Sequence, residues 1–366
     1  MQYNYAGTAV DLPPPTKPRA RSARRLRGAM RRAIRQMAPR RSLSLALQGG
    51  GSFGAFTWGV LDRLLEKDRI AFDTISGASA GAINAVLLAS GLAEGGPRAA
   101  REKLDRFWRR MSQTSMLGPF GSFGASMAET AARAGFALTQ FVSPYQFNPL
   151  GLNPLRDILA EEVDFARLRA ASPAHLLIAA TRVRDGSLRL FRTHELTLDV
   201  VMASACLPQL HHSVEIEGEW YWDGGFSANP PLRQLALDST TRDLLLVQIM
   251  PEVVDQALPR FSRGIARRVR EMSINFPLQK EIEALDELCA FCKQQGGLLR
   301  PRFCRKLERL RLHRLVAERE LPNLRHASAL NVEWSFLNRL KRAGGAAAER
   351  WLADLRRGHS QPLRES

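Results

Sequence analysis

Between Leu43 and Leu92 the chain twice runs a short strand-like segment into a glycine-rich turn and then into an apolar run at helical spacing. In the first unit Leu43, Leu45 and Leu47 alternate with Ser44 and Ala46, which predicts a strand ending at Gln48. Gly49-Gly50-Gly51 follow, and then Phe53, Phe56, Val60, Leu61, Leu64 and Leu65 recur every three or four residues. In the second unit Phe72-Asp73-Thr74-Ile75 enters SGASAG and then AINAVLLASGL. Repetition of strand, turn and helix argues for an α/β fold with a parallel sheet covered by helices. Gly54 and Gly59 are poor helix formers inside the first helical run, so they predict close packing against a neighbour.

At 366 residues the chain is long enough for one large domain, or one domain with an appendage, and 45% hydrophobic residues can supply its core. No apolar stretch reaches the roughly 18 residues of a membrane span. The nearest, Ala82 to Ala93, is too short and contains Asn84. Cys206, Cys289, Cys292 and Cys304 are too few and too clustered for a secreted disulfide scaffold, which favours a reducing, cytoplasmic compartment. The formal charge of +17 is uneven: up to Arg41 there are eleven Lys and Arg against the single acid Asp11. With Pro13, Pro14 and Pro15 and few large apolar residues, residues 1–41 read as a mobile basic arm. It is either solvated or drawn to an anionic membrane surface, where each basic residue contributes roughly 1 kcal/mol. Only Tyr3 and Tyr5 accompany the charge, so no nucleic acid is expected.

Further along, glycines and prolines break residues 112–155 into a loop-rich insertion or lid, whose aromatics Phe120, Phe123, Phe136, Phe141, Tyr145 and Phe147 suit an acyl pocket or ordinary packing equally. Strands are expected at 175–183, at SLRLF and at 243–250, with a helix over Leu198–Cys206 and a hairpin in VEIEGEWYWDGG. From about residue 260 the text reads as helical and basic, lying on a membrane or simply solvated, with solvation the better reading. Cys289, Cys292, Cys304 and His313 invite a zinc reading. Leu285, Leu288, Cys289 and Cys292 lie at helical spacing, however, so core cysteines are the better reading and no metal is expected.

Gly49, Gly51 and Gly54 satisfy the dinucleotide fingerprint G-x-G-x-x-G. That reading needs an acid at the end of the second strand, and Asp73 lies inside it instead. The strand ends in Gly77-Ala78-Ser79-Ala80-Gly81, a G-x-S-x-G turn that projects a serine from the edge of a sheet. Adjacent parallel strands set their C-terminal turns side by side. Gly50, Gly51 and Ser52 can then offer bare backbone N–H groups to the oxyanion formed when Ser79 attacks a carbonyl, each worth about 10²–10³ in rate. No GK[ST] follows the glycines, which disfavours a phosphate loop. Serine also needs a proton acceptor. On the residues alone there are two: His211-His212 near a predicted turn, or Asp223 in Trp222-Asp223-Gly224-Gly225.

QGGGSFG (48–54), GASAG (77–81) and DGG (223–225), with ASACLP (203–208) between, resemble the motifs of bacterial patatin-like phospholipases in order and spacing. The resemblance covers about residues 43–250 and implies a three-layer α/β/α fold with a mainly parallel sheet. It implies a Ser–Asp dyad of Ser79 and Asp223, with Gly49, Gly50 and Gly51 around the oxyanion, Gly77 and Gly81 in the elbow, and Gly224 and Gly225 in the acidic turn. It implies hydrolysis of lipid acyl esters without a cofactor, and a structural role for His211 and His212; the alternatives are an esterase or polyester depolymerase with the same dyad, or an inactive lipid-binding module recruited to membranes. The family's usual basic residue before the loop's last glycine is replaced by Phe53. The expected organisation is an arm over 1–41, a catalytic domain over 42–250 and a helical C-terminal extension over 251–366. Head group, acyl chain and oligomeric state are not legible. Burial beside Trp220, Tyr221 and Trp222 is expected to raise the pKa of Asp223 enough for it to act as a base.

Overall fold

A computed structural model describes residues 41–66, 70–114, 143–250, 258–294, 301–321 and 329–357. Residues 1–40 of the basic arm and 115–142 of the loop-rich segment, with Phe120, Phe123, Phe136 and Phe141, lie outside the described residues. The first strand, β1 (Arg41–Leu47), starts one residue inside the segment read as arm, and the Arg41 guanidinium bonds the Asp243 carboxylate at 2.9 Å.

After β1 come α1 (Gly54–Leu65), β2 (Ile70–Gly77) and α2 (Ala80–Thr114), a long helix interrupted at Gly95 and Gly96. Two shorter helices, α3 (Pro154–Glu162) and α4 (Phe165–Ala171), lead to β3 (His175–Arg182) and β4 (Leu188–Arg192). Then follow α5 (Leu198–Ser204), the hairpin β5 (Val214–Ile216) and β6 (Glu219–Asp223), α6 (Leu232–Asp238) and β7 (Asp243–Gln248). The remainder comprises α7 (Ser262–Gln294), α8 (Arg302–Leu307), β8 (Arg311–Val316) and α9 (Trp334–Arg357).

The sheet runs β5-β6-β3-β2-β1-β7-β8, with β4 also paired to β3. The five strands from β3 to β8 along this path are parallel, and the β3–β4, β3–β6 and β5–β6 pairs are antiparallel. Side chains alternate along each strand, so every strand feeds two apolar layers. Leu45, Leu47, Leu245 and Val247 face a core shared with α1, α2 and α9. Ala46, Leu244 and Leu246 face a second core with α6, α7 and α8. Each fully buried leucine contributes about 1.5–3 kcal/mol. The architecture is the expected α/β/α sandwich with a mainly parallel sheet and a helical C-terminal region.

The basic text after residue 300 departs from its helical reading. Leu312 and Leu315 are buried in β8, which extends the sheet beside β7. His313 there donates to or accepts from Asp243 at 3.1 Å and packs edge-on to Trp351, so it is part of the core rather than a metal ligand. Leu310, Leu312 and Leu315 fit a helical repeat almost as well as a strand, and the open β7 edge decides between them.

The α1 glycines meet their neighbour as expected. A Cβ on Gly59 would fall 1.9 Å from the Lys341 carbonyl oxygen, and one on Gly344 2.0 Å from that of Phe56. Bare backbone on both sides lets α1 and α9 cross at close range.

Candidate active site

The register of β1 against β2 pairs Leu47 with Gly77, so both glycine turns leave the same sheet edge side by side. Glycine is required where they meet. A Cβ on Gly81 would lie 2.0 Å from the Leu47 carbonyl oxygen, and one on Gly49 would lie 2.7 Å from the Ser79 Cβ. Ser79 adopts φ +53°, a strained conformation for a residue with a side chain. That strain is held from outside the turn, because the Ser79 amide donates to the Ser204 carbonyl and hydroxyl oxygens, both at 3.1 Å.

Asn84, the residue that interrupts the apolar run of α2, fixes the helix start against the glycine loop. Its side-chain amide donates to the Gly54 and Ala80 carbonyls at 3.0 Å, and its oxygen accepts from the Trp108 indole at 3.2 Å. Buried polar groups demand such pairing, and here the pairing locks two turns together.

Asp223 ends β6 opposite Ala180 of β3, one strand beyond the elbow strand β2. Its carboxylate accepts a hydrogen bond from the Gly225 amide at 2.7 Å and lies near enough to the Ser79 side chain for that hydroxyl to pull its pKa down. The Asp223 amide donates to the Cys206 carbonyl at 2.8 Å, and its carbonyl accepts from the Thr181 hydroxyl at 2.8 Å. Gly224 sits where a Cβ would lie 2.1 Å from the Ala179 carbonyl oxygen. Segment 203–208 thus braces both partners, Ser79 through Ser204 and Asp223 through Cys206.

Burial pushes the Asp223 carboxyl up to about 6, against the opposing pull of the Ser79 side chain and the Gly225 amide. The expected aromatic screen is only partly present: Tyr221 is buried, whereas Trp220 is 48% exposed because it points to the opposite face of β6. The neighbouring Cys206 thiol is pushed up to about 12 by burial and by the Asp223 charge, so it stays protonated and is no rival nucleophile.

The histidines face elsewhere. His211 Nδ1 lies 3.3 Å from Asn153, while His212 contacts the Pro144 carbonyl at 3.2 Å and stacks on Tyr145 at 4.2 Å. Burial and the adjacent His212 both hold the His211 pKa below its usual value. Asp73 is likewise occupied, accepting from the Thr240 amide at 2.7 Å and from Ser44 at 3.1 Å.

In the glycine loop one expectation changes. The Gly49 amide donates to Asn229 Oδ1 at 2.6 Å, so it is spent within the protein and does not point toward a reacting atom. Gly51 takes φ +57°, and among the described residues no hydrogen bond engages the Gly50 or Gly51 amide. Asn229 itself was not singled out by the sequence. The Asn-Pro pair six residues past Asp223 reads as an ordinary turn, and only contact with Gly49 gives it meaning.

A model of the patatin-like phospholipase family matches residues 45–236, a span that holds the Gly50–Gly51 loop, Ser79 and Asp223. The chain belongs to this family. It is 28% identical over 277 residues to the uncharacterized protein YjjU of Escherichia coli (strain K12), covering 73% of this chain and 69% of that one. Among solved structures it is similar to VipD from Legionella pneumophila, with 16% identity, 86% of this chain and 67% of that chain covered, and a TM-score of 0.39. It is also similar to the heterodimeric ExoU–SpcU complex of Pseudomonas aeruginosa, with 17% identity, 87% and 76% coverage, and a TM-score of 0.25.

Within this patatin-like chain the substitution at Phe53 has a packing reason. Phe53 is fully buried and meets Phe336 of α9 at 6.3 Å between ring centroids. An aromatic ring fills the seam between the loop and the C-terminal helix, where a charged side chain would be desolvated at a cost. Cys292 and Cys304 form a disulfide joining α7 to α8, while Cys206 and Cys289 are buried thiols, so the clustered cysteines lie in the core with one pair joined. Among the described residues no group of three His, Cys, Asp or Glu is arranged to hold a metal, and no helix is long and apolar enough to cross a membrane.

Proposed function

We propose that the chain is a serine hydrolase of lipid carboxylic esters that works through a Ser79–Asp223 dyad. The buried Asp223 carboxylate within the influence of the Ser79 side chain, with the glycine loop packed against Ser79 at Gly49, carries this reading. Asp223 takes the hydroxyl proton as Ser79 Oγ attacks the ester carbonyl. Gly50 and Gly51, with Ser52 following them, donate to the developing oxyanion, each donor worth about 10²–10³ in rate. The ester C–O bond then breaks, and the departing alcohol takes the proton back from Asp223. Water hydrolyses the acyl-enzyme by the same route in reverse, releasing a fatty acid and restoring the Ser79 hydroxyl.

A carboxylate at its ordinary pKa near 3.9 is a feeble base. Raised to about 6, Asp223 is still ionised at neutral pH yet closer to the operating pH, as general-base catalysis favours. Neither metal nor organic cofactor enters these steps. The basic arm over 1–40 and the lipid substrate are the proposed points of contact with a membrane surface.

Fatty-acid release from mixed phospholipid micelles tests the reading. Wild type is expected to release acid, with Ser79→Ala and Asp223→Ala each slower by at least about 10³-fold. A correctly folded wild type that hydrolyses neither phospholipid nor simple esters would contradict it.

A further inference from the structure

The first half of α7 and the residue just before it carry a row of large apolar side chains that no described residue covers. Phe261 is 83% exposed, Val269 57%, Met272 57% and Phe276 55%, with Ile265 between them also exposed. Their spacing of three or four residues puts Ile265, Val269, Met272 and Phe276 on one face of the helix, with Phe261 just ahead of its start. Ile274, Pro277 and Leu278 turn the other way into the protein. Exposed rows of this size in a soluble fold mark an interaction surface.

Two observations identify what it meets. First, α7 packs against the Gly224–Phe226 turn that follows Asp223, so the helix that carries the row also flanks the candidate active site. Second, the sequence from Leu258 to Lys280 holds six basic residues, Arg260, Arg263, Arg267, Arg268, Arg270 and Lys280, against the single acid Glu271. A second copy docking here about a two-fold axis would bring like charge against like charge. An anionic lipid surface is complementary on both counts. It takes the apolar row below its headgroups, and each nearby Lys or Arg adds about 1 kcal/mol of attraction.

We infer that residues 261–276 are an interfacial docking element that lays the Phe261–Phe276 row into an anionic lipid surface and so brings the Asp223 turn to its substrate. The inference rests on the hydrolase reading for the purpose of docking, but not for the docking itself.

Co-sedimentation of the full chain with phosphatidylglycerol–phosphatidylcholine vesicles tests it. Wild type is expected to sediment with these vesicles and far less with pure phosphatidylcholine. Val269→Asp/Met272→Asp is expected to bind about tenfold more weakly, because two carboxylates replace apolar contacts in the interface. Both side chains are exposed, so the double variant should keep the wild-type melting temperature. Phe261→Asp, ahead of the helix, gives the same direction independently. Ser79→Ala sedimenting as wild type, whatever its hydrolysis, supports docking as a property separate from catalysis. The inference is overturned if wild type ignores anionic vesicles, or if the aspartate variants bind them as well as wild type does. A wild-type dimer in solution that the double variant converts to monomer would also overturn it.

Discussion

Asn229 Oδ1 accepts the Gly49 amide hydrogen at 2.6 Å, and its side-chain amide donates back to the Gly49 carbonyl at 3.4 Å. Through this pair the segment that follows Asp223 holds the glycine loop against the elbow. Asn229→Leu keeps the volume but leaves a buried amide unpaired, which costs about 1–3 kcal/mol. Turnover is expected to fall by about 10–100-fold at the same temperature, since a loop displaced by even a fraction of an ångström misaims its donors. Asn229→Asp restores the acceptor. It should recover much of the turnover while moving the acid limb of the pH profile upward, because its carboxylate lies near that of Asp223. A Leu variant with wild-type turnover would remove Asn229 from the account.

The pH dependence of kcat/KM should show a single acid limb. Burial raises Asp223 to about 6 in the folded chain, and in the proposed dyad only its ionised form accepts the Ser79 proton, so activity should climb as pH passes through that region and then level. His211, held low by burial, contacts neither partner and should leave the profile unchanged when replaced by Gln. Loss of the limb in His211→Gln, rather than in Asp223 variants, would restore a histidine base.

The same carboxyl imposes a stability cost with a defined sign. Its pKa is about 6 folded against 3.8 unfolded, so the folded chain holds its proton more tightly. The associated stability is fully present below pH 3.8 and is lost as pH rises through about 6, a change of about 3 kcal/mol at most. Asp223→Asn cannot ionise. Relative to wild type it should gain stability between pH 4 and pH 7 when both are unfolded in urea. A stability difference that does not change with pH would show that the carboxylate is not desolvated.

Much of this arrangement is legible in the sequence because the constraints are local. Three glycines after an alternating run, and a serine flanked by glycines two residues away, must each solve a crowding problem at a strand end, and both solutions are found. Pairing a strand with a distant segment is not local. Nothing in Arg311–Val316 announces that it will complete the β7 edge, since a basic strand and a basic helix share the same leucine spacing there. Asn229 is equally silent, and Ser204 is marked only as a member of ASACLP, with no role attached. Each is a common polar residue in a turn or helix end, and its role comes from which backbone group the fold brings within reach.

The crossing of α1 and α9 gives a direct check on the C-terminal half. Gly59→Ala places a methyl group within 1.9 Å of the Lys341 carbonyl oxygen, which must move for the helices to fit. Overpacking of this kind costs about 1–3 kcal/mol, despite the gain in helix propensity that alanine brings elsewhere. Urea unfolding should show the loss. An Ala variant as stable as wild type would mean that α9 sits farther from α1.

Peptide mass spectrometry of the chain after reaction with a fluorophosphonate tests the nucleophile most directly. The adduct should map to Ser79 alone, form faster above pH 6 than below it, and disappear in Ser79→Ala. Labelling at another serine, or none in folded wild-type protein, would contradict the assignment of Ser79 and Asp223 as the reacting pair.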